Sequence, residues 1–115
     1  MNSFKTIKAS SEGIYKEKGS KFIAFAIPIN SEIQFKEELS SIKKEYRDAG
    51  HHCYGFSIGP EGKIYRYSDD GEPNNSAGKP IYGQLRSFEI TNVSIIVIRY
   101  FGGVNLGVGG LITAY

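Results

Sequence analysis

The sequence contains one cysteine, Cys53, in 115 residues. A lone cysteine forms no intrachain disulfide, so the chain is not a disulfide-stapled secreted scaffold, and a reducing compartment is expected. No apolar run approaches the ~18 residues of a membrane span. Met1 is followed by a polar, mixed-charge stretch without the apolar core of a secretory signal. These absences together lead us to expect a cytoplasmic protein. A large excess of charge of one sign is also missing. The formal net charge of +2 demands no nucleic acid, yet it leaves room for a local basic patch. The glycine-rich stretch near the end lacks the lysine and hydroxyl residue of a phosphate-binding P-loop, and it lacks the acidic partner of a dinucleotide fingerprint. There is no second Cys/His pair to complete a zinc site. No nucleophile–base pair is visible, so catalysis ranks below binding, and no cofactor is expected.

What is present is enough for a core. Hydrophobic residues make up 40% of the chain and aromatics 13%, which argues for a packed domain over disorder. We read residues 1–115 as one domain. Residues 4–8 alternate as an edge strand does. Two strands flank a turn at residues 18–20, the second (22–29) being the more apolar. Asn30 and Ser31 suit a helix start, with Gln34 as the capping-box partner of Ser31. Phe35, Leu39, Ile42 and Tyr46 then recur on one helical face, and Gly50 is expected to end that helix. Strands on either side of residues 59–62 suggest a hairpin. Residues 68–78 read as an acidic loop. Pro80 opens a second helix with Ile81, Leu85 and Phe88 on one stripe. Residues 91–100 hold the most apolar run, VSIIVI, and read as a buried strand. Only five residues follow Gly110, too few for an ordinary helix, so the chain is expected to stop inside one. This order predicts an α/β (α+β) two-layer sandwich, a mixed sheet with helices on one face.

Three stretches carry chemistry. In SDDGEPNNSAGKP, Asp69, Asp70 and Glu72 supply hard oxygen ligands suited to a divalent cation. The same carboxylates suit a rigid turn that caps helix nitrogens and pairs with arginines. The loop is not an EF-hand, and no metal is expected. Ser76 and Lys79 complete this polar stretch. In AGHHCYGF, a strand puts His51 and Cys53 on one face and His52 on the other. That offers too few ligands for structural zinc. The alternative is a small core cysteine beside a histidine bonded to the acidic loop. In RYFGGVNLGVGG, a strand passes through glycines towards a helix start. Gly102, Gly103, Gly107, Gly109 and Gly110 permit either close packing or an anion site of backbone N–H groups. Arg99 ends the buried strand, and a charge there needs a partner. We expect an ion pair with Asp69, Asp70 or Glu72.

These segments, with GSKF at residues 19–22 and TNVSIIVIRYFGGVNLGVGGLITAY at 91–115, resemble the YigZ/IMPACT family in the same order over essentially the whole chain. The resemblance implies a fold shared with domain IV of elongation factor G and with a domain of the ribosomal protein S-five type. It implies that a further ferredoxin-like domain, common in bacterial members, is absent from this chain. Eukaryotic members regulate translation by competing for the activator of a kinase that acts on initiation factor two. For bacterial members nucleic-acid or ribosome binding is suggested. The sequence departs from the family pattern at Asn75 and Ser76, where Gly-Thr is usual, and at Thr113, where an arginine is usual.

The residues and the resemblance meet in one expected surface. The acidic loop, the His/Cys strand and the glycine turn converge near Arg99. Backbone N–H groups there meet phosphates, Tyr100 or Phe101 stacks on a base, and Lys63, Arg66 and Lys79 extend the patch. The expected partners are RNA, the ribosome or a regulatory protein, with no membrane. An enzyme acting on a small phosphorylated substrate is the remaining reading.

Overall fold

The computed structural model describes residues 9–17, 20–70, 72, 76–87 and 89–100. The expected strand at 4–8, the turn residues 18 and 19, Phe88, Phe101, the five glycines from Gly102 to Gly110 and the short terminal helix lie outside them. Five strands and two helices run in the order β1 (Ser11–Glu17), β2 (Ser20–Pro28), α1 (Glu32–Glu45), β3 (His51–Ile58), β4 (Ile64–Ser68), α2 (Gly78–Ser87) and β5 (Val93–Tyr100). The sheet order is β1-β2-β5-β3-β4, and every neighbouring pair is antiparallel.

Two expectations are corrected here. The sheet is not mixed. β2 and β3 run in the same direction, as their connection through α1 requires, but β5 inserts between them and pairs antiparallel with both. Nor do the two described helices share a face. Side chains alternate along β5, and both sets are apolar. Ile96 and Ile98 pack with Phe35 and Ile42 of α1. Val97 packs with Ile81 and Val93 with Leu85, both of α2. A central strand that is apolar on both faces needs cover on both, and α1 and α2 supply it. Full burial of Ile96 and Ile98 contributes about 1.5–3 kcal/mol each.

Local signals explain the elements. Ser31 Oγ accepts from the N–H of Gln34 at 3.1 Å, and Gln34 Oε1 accepts from the N–H of Asn30 at 3.0 Å. The first turn of α1 is thus closed by the residues expected. The helix ends at Glu45, short of Gly50. Gly50 instead donates its N–H to the Arg99 carbonyl at 3.0 Å. It begins the β3–β5 pairing, whose register matches His51 with Arg99. Residues 60–62 form a 3-10 turn between β3 and β4, with positive φ at Gly59 (85°) and Gly62 (64°).

Helix α2 begins at Gly78, two residues before Pro80, and it lies unusually close to the sheet. A Cβ on Gly55 would sit 2.8 Å from the Tyr82 nitrogen, and one on Gly78 would sit 2.6 Å from the Ser68 backbone. Only glycine allows these approaches, and together they fix α2 against β3 and β4. Among the described residues no helix is long and apolar enough to cross a membrane.

Candidate functional site

β2 and β3 start, and β5 stops, at one end of the sheet, because β5 is antiparallel to both. The segment from β4 to α2 crosses that same end. Ser20, His51, Cys53 and Arg99 all point to the α2 face there, as strand alternation requires. Asp69, Asp70 and Glu72 meet them from the loop.

Arg99 is the centre of this cluster. Its Nη1 donates to both carboxylate oxygens of Glu72, at 2.9 and 3.0 Å. Its Nε and Nη2 reach Ser20 Oγ at 3.4 and 3.3 Å. Its Cζ lies 5.7 Å from the centroid of the Phe22 ring. The side chains of Arg99 and Glu72 are only 5% and 3% exposed. The expected ion pair is therefore present, with Glu72 as the carboxylate, and it is buried. His51 adds a third member. Its Nδ1 faces the Asp70 carbonyl at 2.8 Å, so Nδ1 carries the proton, and its Nε2 lies 3.4 Å from Glu72 Oε1.

The other carboxylates are also engaged. Asp69 Oδ1 accepts from the N–H groups of Ala77 and Gly78 at 3.1 and 2.9 Å. These are first-turn donors of α2 that the helix itself leaves unsatisfied. Asp69 thus caps α2 from eight residues upstream, a task that Ala77 has no side chain to perform. The Asp69 carbonyl accepts from Cys53 Sγ at 3.1 Å. Asp70, at φ 41°, accepts through Oδ2 from the His52 N–H at 2.6 Å. Among the described residues no three His, Cys, Asp or Glu side chains are grouped to hold a metal ion. Cys53 and Ser76 are fully buried.

The cluster thus acts as a bracket that ties three strand ends to the loop and to α2. Its three carboxylates outnumber its one guanidinium, so these residues present an excess of negative charge. Four expected members stand elsewhere. Tyr100, next to Arg99 on the strand, points to the α1 face, where its hydroxyl donates to Asp48 Oδ1 at 3.0 Å. Partial burial first, and then this hydrogen bond, raise its pKa above the usual 10.0. His52 also points to that face, with Nε2 3.0 Å from the Tyr46 carbonyl. Lys79 lies exposed on α2. Arg66 is exposed on β4 and pairs with Glu32 at 2.8 Å.

A surface the sequence reading did not single out lies on α1. Lys36, Ser40, Lys43, Lys44 and Arg47 line one shallow groove along the helix, and all are exposed. Their spacing of i, i+4, i+7, i+8 and i+11 is the signal that identifies one helical flank. The flank extends roughly 16 Å at ~1.5 Å per residue. Glu38, Ser41 and Glu45 form the opposite flank, beside Glu12 and Phe25 on the β1 side. The basic flank therefore faces the β4 side of the domain, where the Arg66–Glu32 pair ties β4 to the start of the helix.

An open antiparallel sheet with a helix on each face, a buried ionic bracket and a basic helical flank defines a small α+β domain. The Impact N-terminal domain family matches residues 18–115, and the chain belongs to the IMPACT family. It is 36% identical to the IMPACT family member YvyE of Bacillus subtilis over 115 residues, which is all of this chain and 53% of that protein. The crystal structure of a hypothetical protein superposes with a TM-score of 0.90 at 36% identity, covering 93% of this chain and 53% of the other. The two-domain translational regulator Yih1 matches with a TM-score of 0.63 at 26% identity, over 88% of this chain and 41% of that one. The chain spans about half the length of these relatives.

Proposed function

We propose that this domain is a translation-associated regulatory module that works by binding RNA of the ribosome. The observation that carries the reading is the basic flank of α1. Four exposed cations share one groove whose other lining residues are Leu39 and Ser40. Cations spaced along ~16 Å of helix match the spacing of several backbone phosphates, and phosphate contacts supply most sequence-independent affinity. The likeness to a translational regulator supports the same direction. The ionic bracket serves this function indirectly, by holding the sheet, the loop and α2 in one arrangement. Arg99 has its guanidinium committed to Glu72 and Ser20, so its charge is used inside the fold.

Co-sedimentation with ribosomes at low and at high salt tests the proposal. The wild-type chain is expected to bind at low salt and to release at high salt. Replacing Lys36, Lys43, Lys44 and Arg47 by glutamine is expected to weaken low-salt binding strongly without changing the thermal midpoint, because all four are exposed. Unchanged binding by that variant would refute the assignment to α1. Absence of ribosome binding by the wild type at low salt would refute the reading altogether.

A further inference from the structure

We propose that Tyr65 and Tyr67 form a stacking platform for unpaired nucleobases of RNA, reached across the β4 edge from the basic flank of α1. The inference rests on the RNA reading above and names both the class of RNA and a second part of the site. β4 is an edge strand. Tyr65 and Tyr67 stand two residues apart on it, so they share the α2 face, about 7 Å from each other along the strand. Both rings stack on Tyr82 of α2, Tyr65 at 4.7 Å and 13° and Tyr67 at 5.6 Å and 19°. Tyr82 is only 9% exposed, whereas Tyr65 and Tyr67 are 49% and 40% exposed. Tyr82 is held in place by the close approach of its backbone to Gly55. The two outer rings are thus pre-oriented and still open to solvent, which lowers the entropic cost of stacking on them.

Charge selects the partner. Lys63 stands in the turn just before β4, two residues ahead of Tyr65. Lys79 and Arg86 lie three residues before and four residues after Tyr82, which puts them on its side of α2. All three cations are exposed, and none of these six positions is acidic. Rings interleaved with cations suit a single strand, whose bases expose their faces and whose phosphates follow at similar spacing. A duplex hides its base faces. The surface is also rich in lysine, which the cores of protein interfaces disfavour.

The test compares an end-labelled single-stranded oligouridine with an RNA hairpin duplex of equal length, by fluorescence anisotropy on the full chain. The wild type is expected to prefer the single strand. Tyr65→Leu with Tyr67→Leu keeps an apolar cover over Tyr82 but removes the stacking faces. Each replacement is expected to weaken single-strand binding between about 5-fold and 100-fold, with little change for the duplex. Tyr65→Phe with Tyr67→Phe is expected to bind as the wild type does. The four-glutamine variant of α1 is expected to bind both RNAs more weakly and with a shallower salt dependence, and to keep the single-strand preference, which separates the two readings. Equal affinity for both RNAs, or full single-strand affinity in the leucine pair, would overturn the platform while leaving the RNA reading in place. Loss of binding in the phenylalanine pair would replace stacking by hydroxyl contacts and overturn it too. Absence of binding to either RNA would overturn both readings.

Discussion

Removing one partner of the Arg99–Glu72 pair tests the energetics of the fold most sharply. In Glu72→Leu the guanidinium of Arg99 stays where it is, with its side chain 5% exposed, and loses the two acceptors of Nη1. Ser20 Oγ still faces the charge, but no carboxylate of Glu72 balances it. Stranding a buried charge in this way costs about 3–5 kcal/mol, a large share of the ~5–15 kcal/mol that holds a domain together. With about 2.1 cal/mol/K of unfolding entropy per residue, a chain of 115 residues loses roughly 4 °C of Tm per kcal/mol. The melting temperature should therefore fall by about 12–20 °C, read by circular dichroism or calorimetry. Arg99→Met should cost a comparable amount, because the buried Glu72 carboxylate then loses the guanidinium that balances it. The double variant Glu72→Leu/Arg99→Met leaves no unpaired charge and should recover most of the combined loss. A loss under about 1 kcal/mol in Glu72→Leu would refute the reasoning, since surface ion pairs behave that way. Strict additivity of the two single losses in the double variant would refute it as well.

Further predictions follow from neighbouring contacts. Asp69→Ala removes the acceptor for two N–H groups at the start of α2 and should cost about 1–2 kcal/mol, measured by urea denaturation. Gly55→Ala puts a methyl group against the Tyr82 backbone and should cost about 1–3 kcal/mol, with the stacking of Tyr65 and Tyr67 disturbed in the near-ultraviolet dichroism. Tyr100 has a raised pKa, so its neutral form is favoured by the fold. Its contribution to stability is complete below pH 10 and is lost as pH rises through the raised folded value. Tyr100→Phe should therefore lose the Asp48 hydrogen bond at neutral pH and flatten the loss of stability above pH 10. An unchanged alkaline unfolding profile would count against this.

Some of this architecture was legible in the residues. The Ser31 and Gln34 cap, the apolar stripe of α1 and the hairpin around residues 59–62 depend on contacts within a few positions, which a sequence exposes directly. The need for a carboxylate beside Arg99 was also legible, because an arginine ending an apolar strand must be neutralised. The placement of β5 between β2 and β3 was not. It depends on pairings across at least 36 residues, and local pattern carries no record of strand order. The second cover was missed: both alternating sets of VSIIVI are apolar, yet the helices were expected on one face, because an unbroken apolar run does not say which helix lies on which side. The cap from Asp69 to Ala77 and Gly78 is a loop closure that spacing does not announce. Tyr100 was grouped with Arg99 by adjacency, although adjacent strand residues face apart. The tyrosines that do face solvent, Tyr65 and Tyr67, sit on an edge strand whose exposure only the sheet order reveals.

The most direct test of the account is the salt dependence of RNA binding by the intact chain, with the four-glutamine variant of α1 alongside. Four phosphate contacts contribute a slope of log K against log salt of about −2.8 for a single strand to about −3.6 for a duplex. These contacts alone should lower affinity roughly 50- to 150-fold between 50 and 200 mM salt. The variant should bind more weakly at low salt, with a slope shallower by that amount. A flat wild-type curve, or an equally steep curve for both proteins, would contradict the claim that the basic flank of α1 holds the RNA backbone.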